Sequence, residues 1–239
     1  MNHIILAGDS IFDNGHWVPG YPDVATQVKS LFDANDKVTL LAVDGDIING
    51  VADQLKSLPD DATHLFVSVG GNDALGMLGA MRKAVSSVAE GFLHFHKIRK
   101  EFERMYQAML SNALSYNLPT TICTIYKPCL SHRNAIRMFS HSESGLTSEQ
   151  QQKVANTALP IINSVISNEA IKAELPVIDL EVIFNNVADC KTIKGIVKTH
   201  NKLIIAVSDT DRATSPFAKE VSKLDVTPPG AAAIIITPI

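Results

Sequence analysis

Short runs of apolar residues alternate along the chain with longer stretches in which apolar positions recur every three or four residues. The short runs are His3–Ala7, Val38–Val43, His64–Val69, Thr120–Ile125 and Val177–Leu180, each rich in Val, Ile, Leu or Thr. Near-continuous apolar runs of this length predict strands of a parallel sheet that is covered on both faces. The longer stretches predict helices. Between Ile98 and Tyr116, the residues Ile98, Phe102, Met105, Met109 and Ala113 recur at helical spacing, while Lys100, Glu101, Glu103 and Arg104 fall elsewhere. A second helix is predicted from Thr147 to Asn168. Thr147 and Gln150 form a possible capping box at its start, and Pro160 is expected to kink or break it. Val197 to Val207 also reads as helical.

Strand–helix alternation of this kind predicts an α/β fold: a three-layer αβα arrangement around a five-stranded, mainly parallel sheet of flavodoxin-like order with right-handed crossovers. No internal repeat, low-complexity segment or Pro/Gly/Ser linker interrupts the pattern. One domain over residues 1–239 is therefore the expectation, although the pattern is less legible after about Cys190.

Composition narrows the classes. Hydrophobic residues make up 46% and charged residues 19% of the 239 residues, as in soluble globular proteins. A formal charge of -4 gives no electrostatic reason to expect nucleic acid as a partner. No apolar run approaches the ~20 residues needed to span a bilayer, and the start Met1-Asn2-His3 lacks the basic region of a signal peptide. A cytoplasmic address is expected. Cys123, Cys129 and Cys190 are too few for a disulfide framework, and none has metal-ligand spacing. Cys123, inside an apolar run, is expected in the core. Neither a metal nor a cofactor is expected, and the oligomeric state is not legible.

In open parallel sheets, ligands bind beyond the carboxyl ends of the strands. Three such segments carry candidate chemistry. The first strand runs into Gly8-Asp9-Ser10, which puts the Ser10 hydroxyl at the active edge, either as a nucleophile or as a simple helix cap. The second ends in Asp44-Gly45-Asp46, where a glycine lets a backbone N–H approach a ligand or merely makes a turn. The third ends in Gly70-Gly71-Asn72-Asp73, where Asn72 is either a side-chain donor or a turn residue. Three such segments after three consecutive strands make a shared site the stronger reading.

These blocks resemble the first three sequence blocks of the SGNH hydrolases, the GDSL-like esterases and lipases. The likeness runs from residue 3 to about 189. It includes Cys123-Thr124-Ile125-Tyr126 and Pro176-Val177-Ile178-Asp179-Leu180, and leaves 190–239 divergent. The resemblance implies Ser10 as nucleophile. It also implies an oxyanion hole made of the Ser10 N–H, the Gly45 N–H and the Asn72 side chain, serving hydrolysis of a small ester or acyl substrate through an acyl-enzyme.

The family's fourth block, Asp-x-x-His near the C-terminus, is missing. Asp-x-x-His occurs only as Asp13-Asn14-Gly15-His16 and Asp61-Ala62-Thr63-His64, both in the wrong part of the chain. His64 is expected at the amino end of strand three, across the sheet from Ser10. His200, expected on the last helix, Asp189 and His16 remain as acid or base candidates. Lys194 stands about where the acid or base belongs, but an ammonium at its ordinary pKa is no general base. The alternative function is therefore a catalytically impaired member that binds a small acyl or carbohydrate ligand. A nucleotide-binding module is the weakest reading, since no Gly-x-Gly-x-x-Gly or Walker-type loop follows any strand.

Overall fold

His3–Gly8 forms the first strand, β1, and all six of its residues are buried. Its place in the sheet explains this, because β1 pairs in parallel with β2 (Lys37–Leu40) on one side and with β3 (His64–Ser68) on the other. β3 pairs with β4 (Thr120–Cys123) and β4 with β5 (Val177–Ile178), all parallel, in the order β2-β1-β3-β4-β5. This is the flavodoxin-like order expected from the alternation. The structure is a computed structural model describing residues 1–18, 20, 22–80, 83–127, 147–183, 203–207 and 232–236.

Period-two alternation divides the core into two layers. Ile5, Ala7, Leu65, Val67 and Ile122 point to one face, where they meet Val51 of α2 (Val51–Gln54), Phe102 and Tyr106 of α4 (Val88–Leu114), and Ile162 and Ile166 of α5 (Ser148–Lys172). Ile4, Leu6, Phe66 and Cys123 point to the other, against Val24 and Val28 of α1 (Val24–Ser30) and Leu180 of α6 (Leu180–Ile183). Between β3 and α4 lies α3 (Gly71–Ala80). Helices on both faces of a parallel sheet make the expected three-layer α/β architecture. Cys123 is buried, as expected, and burial pushes its thiol up.

Several expectations need correction. The second strand was expected to reach Val43 but ends at Leu40, because Leu41 and Ala42 both donate to the Leu6 carbonyl and the ladder register is lost there. The fourth strand stops at Cys123 and the fifth at Ile178. Leu180 belongs to α6, started by the Asp179 side chain, which accepts from Val182 N at 3.2 Å. Thr147 and Gln150 do form the capping box of α5, yet the helix runs unbroken through Pro160. Pro160 and Asn156 both lie on its exposed side, so the carbonyl that loses its partner can be hydrated.

The helix expected over Val197 to Val207 is overturned for its last five residues; 197–202 lie outside the described residues. Leu203–Val207 is a strand, β6, in parallel register with β7 (Ala232–Ile236), and the two form a separate two-stranded sheet. An unbroken apolar run fits both periods, and the pairing of Leu203 with Ala232, in a second such run, decides for a strand. Among the described residues, no helix is long and apolar enough to cross a membrane.

Candidate active site

Gly8 ends β1 at φ +129, a backbone conformation that side chains rarely adopt. A Cβ there would run into the Ser68 carbonyl of β3. The chain passes this point so closely that Asp9 N donates to Ser68 O at 2.9 Å. Residues 9–13 then make a single turn rather than the expected helix start, with Phe12 N and Asp13 N both donating to Asp9 O at 3.1 Å. Ser10 stands in that turn, half-buried at the carboxyl edge of the sheet. Among the described residues, no side chain is hydrogen-bonded to its hydroxyl.

Gly45 lies in the loop after β2, exposed, at φ +84 with open space around it. Asp44 N donates to Asp13 Oδ2 at 2.8 Å, which ties this loop to the turn that carries Ser10. Trp17 Nε1 donates to Asp44 Oδ2 at 3.0 Å and fastens the loop from outside. Gly70, at φ +113, turns β3 into α3, where Phe102 Cζ would lie 3.0 Å from an added Cβ. Asn72 follows in the first turn of α3 and donates through Nδ2 to the Asp46 carbonyl at 2.7 Å. An amide nitrogen has two hydrogens, so one remains for another acceptor. The segments of Ser10, Gly45 and Asn72 are thus laced together by hydrogen bonds at one end of three neighbouring strands.

Beneath this edge, Asp9 is buried. Burial raises its carboxyl to about 7, helped by the negative charges of Asp73 and Asp44 and opposed by hydrogen bonds from the Ile11 and Gly71 N–H groups. Asp73 is also raised, by burial first, although Ile48 N donates to its Oδ2 at 3.0 Å. Asp9 thereby ties the turn carrying Ser10 to the start of α3, since its carboxyl accepts from both the Ile11 and the Gly71 N–H.

The remaining candidates separate. His16 is exposed in a 3₁₀ turn, Gly15–Trp17, its ring edge-on to Trp17 at 5.5 Å between centroids. His64 begins β3 at its amino end, as expected, with its Nδ1 2.9 Å from Thr63 Oγ1. Asp189, Lys194 and His200 lie outside the described residues. A histidine–carboxylate pair does exist, His3 Nδ1 to Asp61 Oδ1 at 2.6 Å, but at the start of β1, the opposite edge of the sheet. His3 Nε2 is held by Thr39 Oγ1 at 2.7 Å, so this pair belongs to the packing of the amino edge.

Two amides escaped sequence reasoning. Gln54 bonds both backbone groups of Gly8, and Asn163 of α5 bonds both backbone groups of Ile125 beyond β4. Gln54 was detectable: it follows Val51 by three residues on the stripe of Ile48, Val51 and Leu55, so an uncharged polar residue points inward there.

The fold is similar to that of phospholipase A1 from Streptomyces albidoflavus NA297, with a TM-score of 0.53 and 16% identity, covering 87% of this chain and 88% of that one. It is also similar to an extracellular lipase from Streptomyces rimosus, with a TM-score of 0.50 and 16% identity over 77% of this chain and 82% of that one. At such identities the likeness concerns the fold alone. No curated protein matches the sequence. A family model does, the GDSL-like lipase/acylhydrolase model, over residues 4–204. That span holds all five strands of the main sheet and the three laced segments, and on it the chain belongs to the family of GDSL-like lipases and acylhydrolases, hydrolases of esters.

Proposed function

We propose that this chain hydrolyses a small ester through an acyl-enzyme on Ser10. The Ser10 oxygen attacks the ester carbonyl carbon, and the alcohol leaves with a proton. Water then attacks the acyl-serine, releasing the acid and restoring the hydroxyl. While each tetrahedral intermediate exists, its oxyanion accepts from the Ser10 N–H, the Gly45 N–H and the free hydrogen of the Asn72 amide. The observation that carries this reading is the bond from Asn72 Nδ2 to the Asp46 carbonyl, 2.7 Å, which sets the amide beside the Gly45 loop.

Activation of Ser10 needs a proton acceptor about 3 Å from its hydroxyl. His200 is the only histidine after His141, and Val197, not an aspartate, stands three residues before it. A base without its orienting carboxylate is a poor one. Turnover is therefore expected to fall well below that of a complete triad, supported by the oxyanion donors and by His200, Asp189 or His16. In the same site a small acyl or carbohydrate ligand would be held without rapid turnover.

The experiment is turnover of an activated aryl ester by the wild type and its variants. Ser10→Ala should abolish the activity, and Asn72→Ala should lower it about 10²–10³-fold. An unchanged rate in Ser10→Ala assigns the activity elsewhere. A pH–rate profile repeated on His200→Ala, His16→Ala and Asp189→Ala identifies the base. A fast enzyme whose acid limb near pH ~6.5 disappears in one of the histidine variants would overturn the expectation of an impaired site.

A further inference from the structure

β2 ends at Leu40, and although Val43 N, beyond it, still donates to the Gly8 carbonyl at 3.1 Å, the Gly8 N–H finds no acceptor on that strand. Along β1, Leu6 and Gly8 face β2, and the Leu6 carbonyl takes the Leu41 and Ala42 N–H groups at 2.8 and 2.9 Å. No backbone carbonyl of β2 is left for the Gly8 N–H. The Gln54 side chain stands in for one. Gln54 Oε1 accepts from Gly8 N at 2.7 Å, and Gln54 Nε2 donates to Gly8 O at 2.8 Å. The carboxamide thus supplies the acceptor that β2 lacks and shares the Gly8 carbonyl with Val43 N, two residues before Ser10.

The second hydrogen of the amide is also used. Gln54 Nε2 donates to Asp46 Oδ2 at 2.6 Å, and the carbonyl of that same Asp46 accepts from Asn72. One unbroken chain of bonds therefore runs from the backbone before Ser10, through Gln54 and Asp46, to Asn72, and passes directly beside Gly45. An independent feature protects it. Gly50 sits against the Asp46 carboxylate, and a Cβ there would run into both carboxylate oxygens. The backbone at Gly50 is ordinary right-handed helix, φ -71 and ψ -25, so its lack of a side chain serves space and not conformation.

We infer that Gln54 is a positioning residue that sets the spacing of the three oxyanion donors by clamping Gly8 to Asp46. This rests on the reading of Ser10, Gly45 and Asn72 as the reacting site. Three donors must converge on one oxygen at about 2.7–3.1 Å, and a misplacement near 1 Å costs up to about 10²-fold. Gln54 is buried, and its three side-chain bonds go to Gly8 and Asp46 and not to Ser10. Its loss acts on the transition state, where the donors are used, and leaves ground-state binding nearly intact.

The test is the kinetics of p-nitrophenyl acetate hydrolysis by wild type, Ser10→Ala, Gln54→Leu and Gln54→Glu. Gln54→Leu keeps the bulk and removes the three bonds; its kcat should fall about 10- to 100-fold with KM nearly unchanged. Gln54→Glu keeps the acceptor for Gly8 N but, ionised, faces the Asp46 carboxylate and the Gly8 carbonyl with no hydrogen. When protonated it again has a hydrogen to donate. The ratio of its kcat to that of wild type should therefore rise as pH falls from 8 to 5, a response that a merely structural residue would not give. If Gln54→Leu does not fold, that ratio decides alone. A folded Gln54→Leu with wild-type kcat, or a Gln54→Glu ratio that is flat with pH, overturns the positioning role while Ser10-dependent turnover leaves the hydrolase reading standing. Wild-type protein without Ser10-dependent turnover removes that reading, and the role of Gln54 with it.

Discussion

At φ +129, Gly8 turns β1 out of the sheet so close to β3 that even a methyl group would collide with the Ser68 carbonyl, and backbone cannot give way there. Gly45 shares the positive φ, +84, but nothing lies within 4 Å of the position its Cβ would take. The two glycines thus differ in what they require. Gly45 needs only a permissive conformation, for which an alanine costs about 1–2 kcal/mol. Gly8 needs both conformation and empty space, and substitution there belongs with the rare losses above ~4 kcal/mol. Gly8→Ala should accordingly be insoluble or unfolded at 25 °C, while Gly45→Ala should remain folded with a urea midpoint lowered by the smaller amount. Equal losses in the two variants would mean that the close passage of β1 beside Ser68 is not what constrains this corner. Only one of these roles was legible in the sequence. A glycine after the second strand stood out as a backbone donor, whereas the demand on Gly8 comes from Ser68, sixty residues away in the chain.

α5 shows what element-level pattern reading can and cannot reach. Its start was legible because a capping box is local: Thr147 Oγ1 accepts from Gln150 N at 3.2 Å, and Gln150 Oε1 accepts from Thr147 N at 2.8 Å. Its passage through Pro160 was not, since that depends on which face the neighbouring carbonyl presents to water. β6 was misread for a related reason, an apolar run whose period is ambiguous until its partner is known. The inward role of Asn163 was hidden altogether. Buried among Ile162, Val165 and Ile166, it accepts from Ile125 N at 2.9 Å and donates from Nδ2 to Ile125 O and Glu181 Oε2, both at 2.8 Å. It fastens the exit of β4 and the start of α6 to one helix. Asn163→Leu leaves the Ile125 N–H and carbonyl without partners, at about 1–3 kcal/mol for each group that stays buried. A loss of about 2–5 kcal/mol in urea denaturation is expected, against about 1 kcal/mol for Thr147→Ala at the exposed cap. If Asn163→Leu loses no more than Thr147→Ala, the Ile125 groups are reaching water and the clamp is not needed.

Across the whole molecule, charge is treated differently at the two edges of the sheet. At the amino edge, carboxylates meet cations: Asp61 is held below its ordinary range by hydrogen bonds from Lys37 and then His3. At the carboxyl edge, the carboxyl groups of Asp9, Asp13, Asp44, Asp46 and Asp73 accept, among the described residues, only from backbone N–H groups, the Trp17 indole and the Gln54 amide. None of these five is in an ion pair among the described residues. Depressed carboxyls such as Asp61 contribute stability that is present above an unfolded pKa of ~3.9 and is lost as pH falls through their lower folded values. A raised carboxyl has the opposite sign. Asp9, at about 7, holds its proton more tightly in the folded chain than in the unfolded one. Between pH ~4 and ~7 the folded state therefore binds more protons, and stability falls as pH rises. A rise from the ordinary carboxyl range to about 7 corresponds to ~4 kcal/mol at most. Asp73, raised mainly by burial, works in the same direction, and the Tyr106 hydroxyl and Cys123 thiol facing Asp9 are pushed up and stay neutral over that range. The melting temperature of the wild type should thus decline from pH 5 to pH 8. Asp9→Asn, which keeps an acceptor for Ile11 N without the charge, should flatten that decline and melt higher than wild type at pH 8 relative to its difference at pH 5. A difference between the two proteins that does not change with pH would show that Asp9 is ionised throughout, held so by its two backbone N–H donors against the cost of burial.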